Sequence, residues 1–264
     1  MPSFLNSTFA TYFNRILQIN QSTNSGVDAT TRQIQTGDGV NTSASISDDV
    51  FGVQPQNDDT TSTFFVKKNN GNKVLDIDTT NSLVKSGTEQ VNVTSSIKEF
   101  SGVGIIPVAG THMLLFANPS GYFGTTHTEE NLGNGTNPDP TVDMSSGNDA
   151  FYWVPFLWYL PNAITIDSVH VFMGVNGASG MDLNYHLMSY AINTGNGATS
   201  GDLSGGTILA DGSAISGVDR TAIDYQSLTI QSSDVVSGRV ILATVESTGT
   251  TSTSVNMSVK YHIQ

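Results

Sequence analysis

The stretch Val255-Asn256-Met257-Ser258-Val259-Lys260-Tyr261-His262-Ile263-Gln264 decides the fold class, because large apolar and polar side chains alternate along its whole length. Successive side chains of a β-strand point to opposite faces of a sheet. The alternation therefore predicts a strand that buries one face in a core and leaves the other face in solvent.

Shorter runs upstream also read as strands, at residues 164–166, 169–173 and 183–188, and at the mostly apolar run 240–245. Loops rich in Gly, Asn, Ser and Asp separate them, and none of these segments has a helical repeat. Several short strands at such spacing are typical of an antiparallel β-sandwich. Residues 103–264 are therefore predicted to form a C-terminal, jelly-roll-like β-sandwich head.

Residues 27–102 contain thinner strands joined by turns. The pattern predicts a strand at 64–68, a turn at 69–72, an alternating strand at 73–78, a turn at 79–82 and a strand from residue 83. The large apolar side chains that we expect at its centre are Phe64, Val66, Leu75 and Ile77. Because so few large side chains cannot close a core in one chain, we predict a short stalk of strands intertwined from several copies.

Residues 1–26 begin with a segment of helical periodicity. Large apolar side chains recur three and four positions apart over residues 3–20, which predicts an amphipathic helix. They are Leu5, Phe9, Tyr12, Phe13, Ile16 and Leu17. This apolar stripe is interpreted as an anchor or trimer contact; docking on its own domain and lying on a membrane surface are the alternatives.

The composition excludes several classes of function. The 264 residues include no Cys, and 10 Lys and Arg stand against 23 Asp and Glu, for a net charge of −13. Disulfides and thiolate metal sites are thus excluded, and so acidic a chain argues against nucleic-acid binding. The longest apolar stretch, at 151–160, contains Pro155 and is too short to cross a bilayer, so we expect no membrane insertion.

The charge is also unevenly distributed. The first hundred residues hold seven of the ten basic side chains, and no Lys or Arg occurs between Lys98 and Arg220. This change in composition predicts a domain boundary near residue 102.

Neither a catalytic motif nor a cofactor motif is present, so we predict no catalytic residue, no metal, no cofactor and no enzyme activity. Three weaker interpretations stay open. His170 and His186 on neighbouring strands would suit a metal pair. The carboxylates of residues 124–149 would suit either glycoside hydrolysis or calcium binding; they are Glu129, Glu130, Asp139 and Asp143.

An aromatic cluster at residues 151–160 holds both tryptophans of the chain. Its exposed members would offer flat faces for a glycan, or else they pack in the core or at a subunit interface, where such rings are enriched. The candidates are Tyr152, Trp153, Trp158 and Tyr159.

Two stretches resemble virion proteins of marine tailed bacteriophages. Residues 24–32 and 35–39 are similar to the N-terminal regions of such proteins, and residues 64–82 resemble the short β-repeats of trimeric phage fibres. The resemblance implies a non-enzymatic structural protein of the virion, a short homotrimeric fibre or spike made in the host cytoplasm. Its N-terminal region would attach to capsid or tail proteins, and its β-sandwich head would face outward.

The resemblance leaves the role of the head open. Decoration of the particle, with host adhesion, is the first interpretation. The alternatives are a carbohydrate-binding tail adhesin that recognises a host surface glycan or receptor, and a glycan depolymerase that uses the loop carboxylates.

Overall fold

A computed structural model of the chain describes residues 17–21, 26–87, 91–93, 95–117, 131–144, 153–195, 199 and 201–264. They form antiparallel β-sheets with very little helix, which confirms the prediction of a mainly β protein. The chain divides into two units, residues 1–94 and residues 95–264, each with sheets of its own.

The first unit contains two four-stranded sheets. The first sheet has the order β1-β2-β3-β4, with β1 at Leu17–Ile19, β2 at Arg32–Thr36, β3 at Asn41–Ile46 and β4 at Phe51–Val53. The second has the order β5-β6-β7-β8, with β5 at Phe64–Lys67, β6 at Lys73–Asp78, β7 at Leu83–Ser86 and β8 at Val91–Asn92. The predicted strands and turns of residues 64–86 are thereby confirmed.

The turn between β5 and β6 shows why the chain reverses there. The Lys68 N–H donates to the Asn72 carbonyl, and Gly71 has a φ of 89°, a left-handed conformation that glycine adopts without strain. Asn70 Oδ1 accepts a hydrogen bond from the Asn72 N–H, as asparagine often does in turns.

The second unit contains twelve strands within its described residues. In chain order they are β9 (Ser95–Ile105), β10 (His112–Leu115), β11 (Trp158–Tyr159), β12 (Ile164–Val175), β13 (Ala178–Ile192), β14 (Leu203–Asp211), β15 (Ile215–Asp219), β16 (Asp224–Ser227), β17 (Thr229–Ile230), β18 (Asp234–Val235), β19 (Arg239–Ser247) and β20 (Thr253–Ile263). A short 3₁₀ helix at Val154–Phe156 precedes β11.

These strands form two sheets. The five-stranded sheet has the order β16-β12-β20-β9, with β18 also on β12. The seven-stranded sheet has the order β10-β19-β13-β14-β17, with β11 on β19 and β15 on β13.

The two sheets of the second unit share one apolar core. Val255, Met257 and Val259 of β20 are buried in it, as the alternation predicts, together with Leu183 and Leu187 of β13. The alternation ends near the end of β20, where Tyr261 packs partly buried against the core and Ile263 is exposed.

A second apolar cluster lies on the other side of the seven-stranded sheet. Residues 131–144 and 153–157 supply Leu132, Val142, Trp153 and Phe156 to it, where they pack with Met188, Tyr190, Leu203 and Leu242 from the strands. Strand β13 is therefore buried on both faces. The alternation of apolar and polar residues along it does not mark a side that is exposed to solvent.

Two boundaries differ from the sequence predictions. The predicted helix does not reach residue 20, because Leu17–Ile19 pairs with β2 as a strand; residues 1–16 lie outside the described residues. The division between units falls at 94/95 rather than near 102, because β9 is continuous from Ser95 to Ile105 in the second unit.

Candidate functional site

An apolar surface, here called the stalk face, covers one side of the β5–β8 sheet. Phe64 lies directly opposite Ile77, and Val66 lies directly opposite Leu75. Val84 of β7 lies opposite Ile77 on its other flank. Residues opposite in register share a face of the sheet. The pairing therefore brings the four predicted stalk residues together with Val84.

Among the described residues of its own unit, no second layer covers the stalk face. Phe64 is 38% exposed and Val66 is 43% exposed, while Leu75, Ile77 and Val84 are only partly buried. Among the described residues of the first unit, no large apolar side chain is fully buried. An exposed apolar patch on a small sheet marks a surface that a partner would cover.

The opposite side of the same sheet carries an ionic network. Lys73 Nζ lies 2.6 Å from Asp76 Oδ2 and 2.7 Å from Ser62 Oγ. Lys85 Nζ lies 2.6 Å from Asp78 Oδ2, and the Asn81 side-chain amide donates to the same carboxylate at 2.9 Å. Asp76 and Asp78 are both buried, and these contacts provide hydrogen-bond partners for their carboxylates.

These contacts stabilise the charged form of both carboxylates. The hydrogen bond from Lys73, with a second from Ser62, lowers the pKa of Asp76. Burial alone would raise the pKa of Asp78, but hydrogen bonds from Lys85 and Asn81 outweigh it and hold the pKa at about 2. The ionic side of the sheet therefore satisfies its polar groups within the chain.

Phe65 belongs to the ionic side, although it precedes Val66 in the same strand. It lies opposite Asp76, and the ammonium groups of Lys67 and Lys73 lie 4.6 and 5.7 Å from its ring centroid. Cations over an aromatic face are attracted to it. The sheet thus has one side completed by its own chain and one side suited to association.

Most of the predicted anchor lies outside the described residues. Leu5, Phe9, Tyr12, Phe13 and Ile16 are in residues 1–16, and the last anchor candidate, Leu17, is exposed at the start of β1.

The aromatic cluster at 151–160 is divided between environments. Trp153 is buried in the second apolar cluster, and Trp158 is partly buried, with its ring 4.9 Å from that of Tyr261. Tyr159 is exposed, and Tyr152 lies outside the described residues. The buried position of Trp153 favours core packing over glycan contact for that residue.

The metal and hydrolase interpretations find little geometric support. His170 lies on β12 and His186 on β13, in different sheets, so the expected pair on neighbouring strands was wrong. Asp139 and Asp143 are exposed in the segment 131–144, and Glu129 and Glu130 lie outside the described residues. In the part of the chain that the structure describes, no three His, Asp or Glu side chains are grouped as metal ligands.

Within the described residues, no helix is long and apolar enough to span a membrane.

Two groups of residues escaped the sequence analysis. One is a set of neighbouring rings on the five-stranded sheet, the exposed Phe172 and Tyr225 and the partly buried His170. The other is a pair of buried imidazoles, His112 and His186, with ring centroids 4.9 Å apart. The sequence does contain one indication of the first group. Phe172 is a large apolar residue on the side of the strand opposite to Val169, Val171 and Met173, where a polar residue is expected.

Comparison of the chain with protein-family models and with curated proteins finds no match.

Proposed function

We propose that this chain is a non-enzymatic structural protein that assembles as a homotrimer through the stalk face. The observation that supports the proposal is the uncovered apolar side of the β5–β8 sheet, on a unit whose buried side chains are polar or charged within its described residues.

A single copy lacks a second layer over the stalk face among the described residues of its first unit. Burying apolar surface stabilises a fold by about 25 cal/mol per Å². A small sheet whose apolar face stays exposed to solvent gains little of this stabilisation. Further copies of the same chain supply the missing layer at a symmetric interface. The number three comes from the resemblance of residues 64–82 to trimeric fibre repeats.

The same resemblance supports a place on a tailed-phage virion. In this role the N-terminal region attaches the trimer to capsid or tail proteins, and the β-sandwich is presented to the surroundings. The net charge of −13 would keep neighbouring copies on a particle from sticking together.

The assembly role is tested by two neighbouring substitutions in β5. Val66→Asn places an amide in the stalk face, where trimer formation would bury it without a partner, and such burial costs about 1–3 kcal/mol per copy. Phe65→Asn is the matched control, because Phe65 is similarly exposed, at 47%, but belongs to the ionic side. In sedimentation velocity we expect Val66→Asn to dissociate at concentrations where Phe65→Asn stays trimeric.

Equal dissociation of both variants, or of neither, would count against the stalk face as the interface. The virion role has a separate test, which is detection of the chain in purified phage particles by mass spectrometry. A chain without residues 1–16 should be missing from those particles, and its normal incorporation would contradict the anchor role.

A further inference from the structure

Three rings form a compact group, here called the ring platform, on the outer side of the five-stranded sheet; those of Phe172 and Tyr225 are exposed and that of His170 is partly buried. Phe172 of β12 lies opposite Tyr225 of β16, with ring centroids 5.1 Å apart. The rings of Tyr225 and His170 have centroids 5.8 Å apart. All three residues belong to the second unit, so the group does not depend on the assembly role.

The ring platform is not a part of the core that happens to be exposed. Val169, Val171 and Met173 alternate with these residues and are fully buried on the inner side of β12. Phe172 is 49% exposed and Tyr225 is 55% exposed, on the outer side. Because large rings gain stability only when covered, such a group on a completed sandwich points to a ligand surface.

The geometry of Tyr225 and His170 is fixed by a hydrogen bond. The Tyr225 hydroxyl lies 2.8 Å from His170 Nδ1, and the planes of the two rings differ by only 18°. A contact between ring edges with nearly parallel planes places the rings side by side rather than face to face. The Tyr225 and His170 rings are therefore nearly parallel and their orientation is set before any ligand arrives, while the Phe172 ring is tilted by 47° to that of Tyr225.

The strand neighbours of the rings are polar but uncharged. His170 lies between Ser227 of β16 and Ser258 of β20, and Phe172 has Asn256 of β20 on its other flank. Hydroxyl and amide groups donate and accept hydrogen bonds without requiring a charged partner. Charged residues follow one step further along the same face: Lys260, two residues after Ser258 in β20, and Glu99, which lies opposite Ser258 on β9.

We propose that the ring platform binds a neutral saccharide. Sugar rings combine an apolar C–H face, which suits a flat aromatic surface, with hydroxyls around the rim, which suit Ser227, Ser258 and Asn256. An aromatic floor with a few convergent polar groups is the usual composition of a ligand site. Among the described residues, none of those opposite the rings in register is a cation that an anionic ligand would need.

Binding is tested with the full chain on an array of neutral oligosaccharides of glucose, galactose, mannose and N-acetylglucosamine, followed by calorimetry with the best binder. We expect Phe172→Ala and Tyr225→Ala to weaken binding by ~tenfold or more, because each removes a stacking ring. Tyr225→Phe keeps the ring but loses the hydrogen bond to His170, so we expect a smaller loss. Circular dichroism spectra should match those of the unchanged chain, since the rings lie outside the core.

Tyr159→Ala is the matched control, because Tyr159 is 52% exposed on β11 of the other sheet. Its binding should equal that of the unchanged chain. The inference is overturned if no neutral saccharide binds, or if Tyr159→Ala loses binding while Tyr225→Ala keeps it. It is also overturned if Phe172→Ala and Tyr225→Ala lower the association state, since the platform would then be a contact between copies. Loss of trimerisation through Val66→Asn, by contrast, should leave the affinity per site unchanged.

Discussion

At the scale of single residues, the buried histidine pair is the least conventional feature of the second unit. His112 and His186 are almost completely buried, and His112 Nε2 donates to the Gly135 carbonyl at 2.8 Å. Nδ1 of both rings and Oγ1 of the nearby Thr244 have no hydrogen-bond partner among the described residues. The two rings are thus enclosed together in the interior of the second unit.

The lowered pKa of His186 predicts that the folded protein loses stability in acid. Burial lowers its pKa to about 4, against an attractive effect of Asp211 and with a further lowering by His112. The unfolded chain, with a pKa near 6.5 for histidine, therefore binds the proton first. Stability should be complete above about pH 6.5 and fall as the pH drops toward 4, by roughly 1–2 kcal/mol at pH 5.

His186→Gln should remove most of this dependence between pH 7 and pH 5, measured by chemical denaturation. The control is His262→Gln, because His262 is only partly buried and pairs with Asp167 at 2.8 Å. An unchanged pH dependence in His186→Gln would show that His186 is not the group responsible.

The ion pairs of the first unit predict a different response. Lys85→Met would leave the buried Asp78 carboxylate without its cation, which should cost on the order of 2 kcal/mol. Asp78 has a lowered pKa, so the stability it contributes is present above about pH 4 and is lost as the pH falls toward 2. Lys68→Met, in the exposed turn, is the control and should leave thermal denaturation unchanged. Equal melting temperatures for the unchanged chain, Lys85→Met and Lys68→Met would contradict a stabilising role of the Lys85–Asp78 pair.

At the scale of elements, the segment 131–144 is fastened to the seven-stranded sheet by close contacts. The Tyr190 hydroxyl donates to the Asp139 carbonyl at 2.7 Å, and the Gly206 N–H donates to the Pro140 carbonyl at 2.9 Å. A side chain on Gly206 would come within 2.7 Å of Pro140 Cα and 2.6 Å of the Tyr190 ring. Glycine at 206 therefore lets the segment lie directly on β14.

Gly206→Ala should displace this covering segment and lower the free energy of unfolding by about 1–3 kcal/mol. Ser204→Ala, at an exposed position in the same strand, should have little effect. Thermal denaturation and Trp fluorescence measure the difference, because Trp153 packs in the cluster under this segment. Equal stability of the two variants would contradict the tight packing.

Strands with a clear apolar pattern could be predicted from the sequence, whereas β9, β14 and the long-range strand partners could not. The alternation of Val255, Met257 and Val259 determined β20 because the side-chain period of a strand is fixed by the backbone. At Leu17, by contrast, the apolar pattern also suits a helix, and pairing with Thr36 decides the outcome. The burial of Tyr190 depends on residues 131–144 lying over β13, which no local pattern shows.

At the scale of the whole molecule, the two units differ in how their apolar surface is covered. The second unit closes two apolar clusters within its own sheets and covering segments. The first unit, within its described residues, buries Asp76, Asp78 and Ser47 but no large apolar side chain. The first unit is therefore the part of the chain that we expect to require further copies.

The candidate sites were predictable to different degrees at this scale. Phe64, Val66, Leu75 and Ile77 come from two strands joined by a short turn, so alternation alone placed them on one face. The ring platform joins Phe172 to Tyr225, which lies far along the chain, and their proximity follows from the order of strands in the sheet. The alternation of side chains determines which face of its sheet a residue occupies, whereas the pairing of distant strands determines which residues lie next to it.

Sedimentation equilibrium of the full chain at neutral pH tests the assembly claim most directly. The account predicts a particle of three times the 28.0 kDa chain mass at micromolar concentration. A stable particle of one chain mass, with residues 64–86 protected from hydrogen exchange, would contradict it, because a single copy would then complete the stalk face by itself.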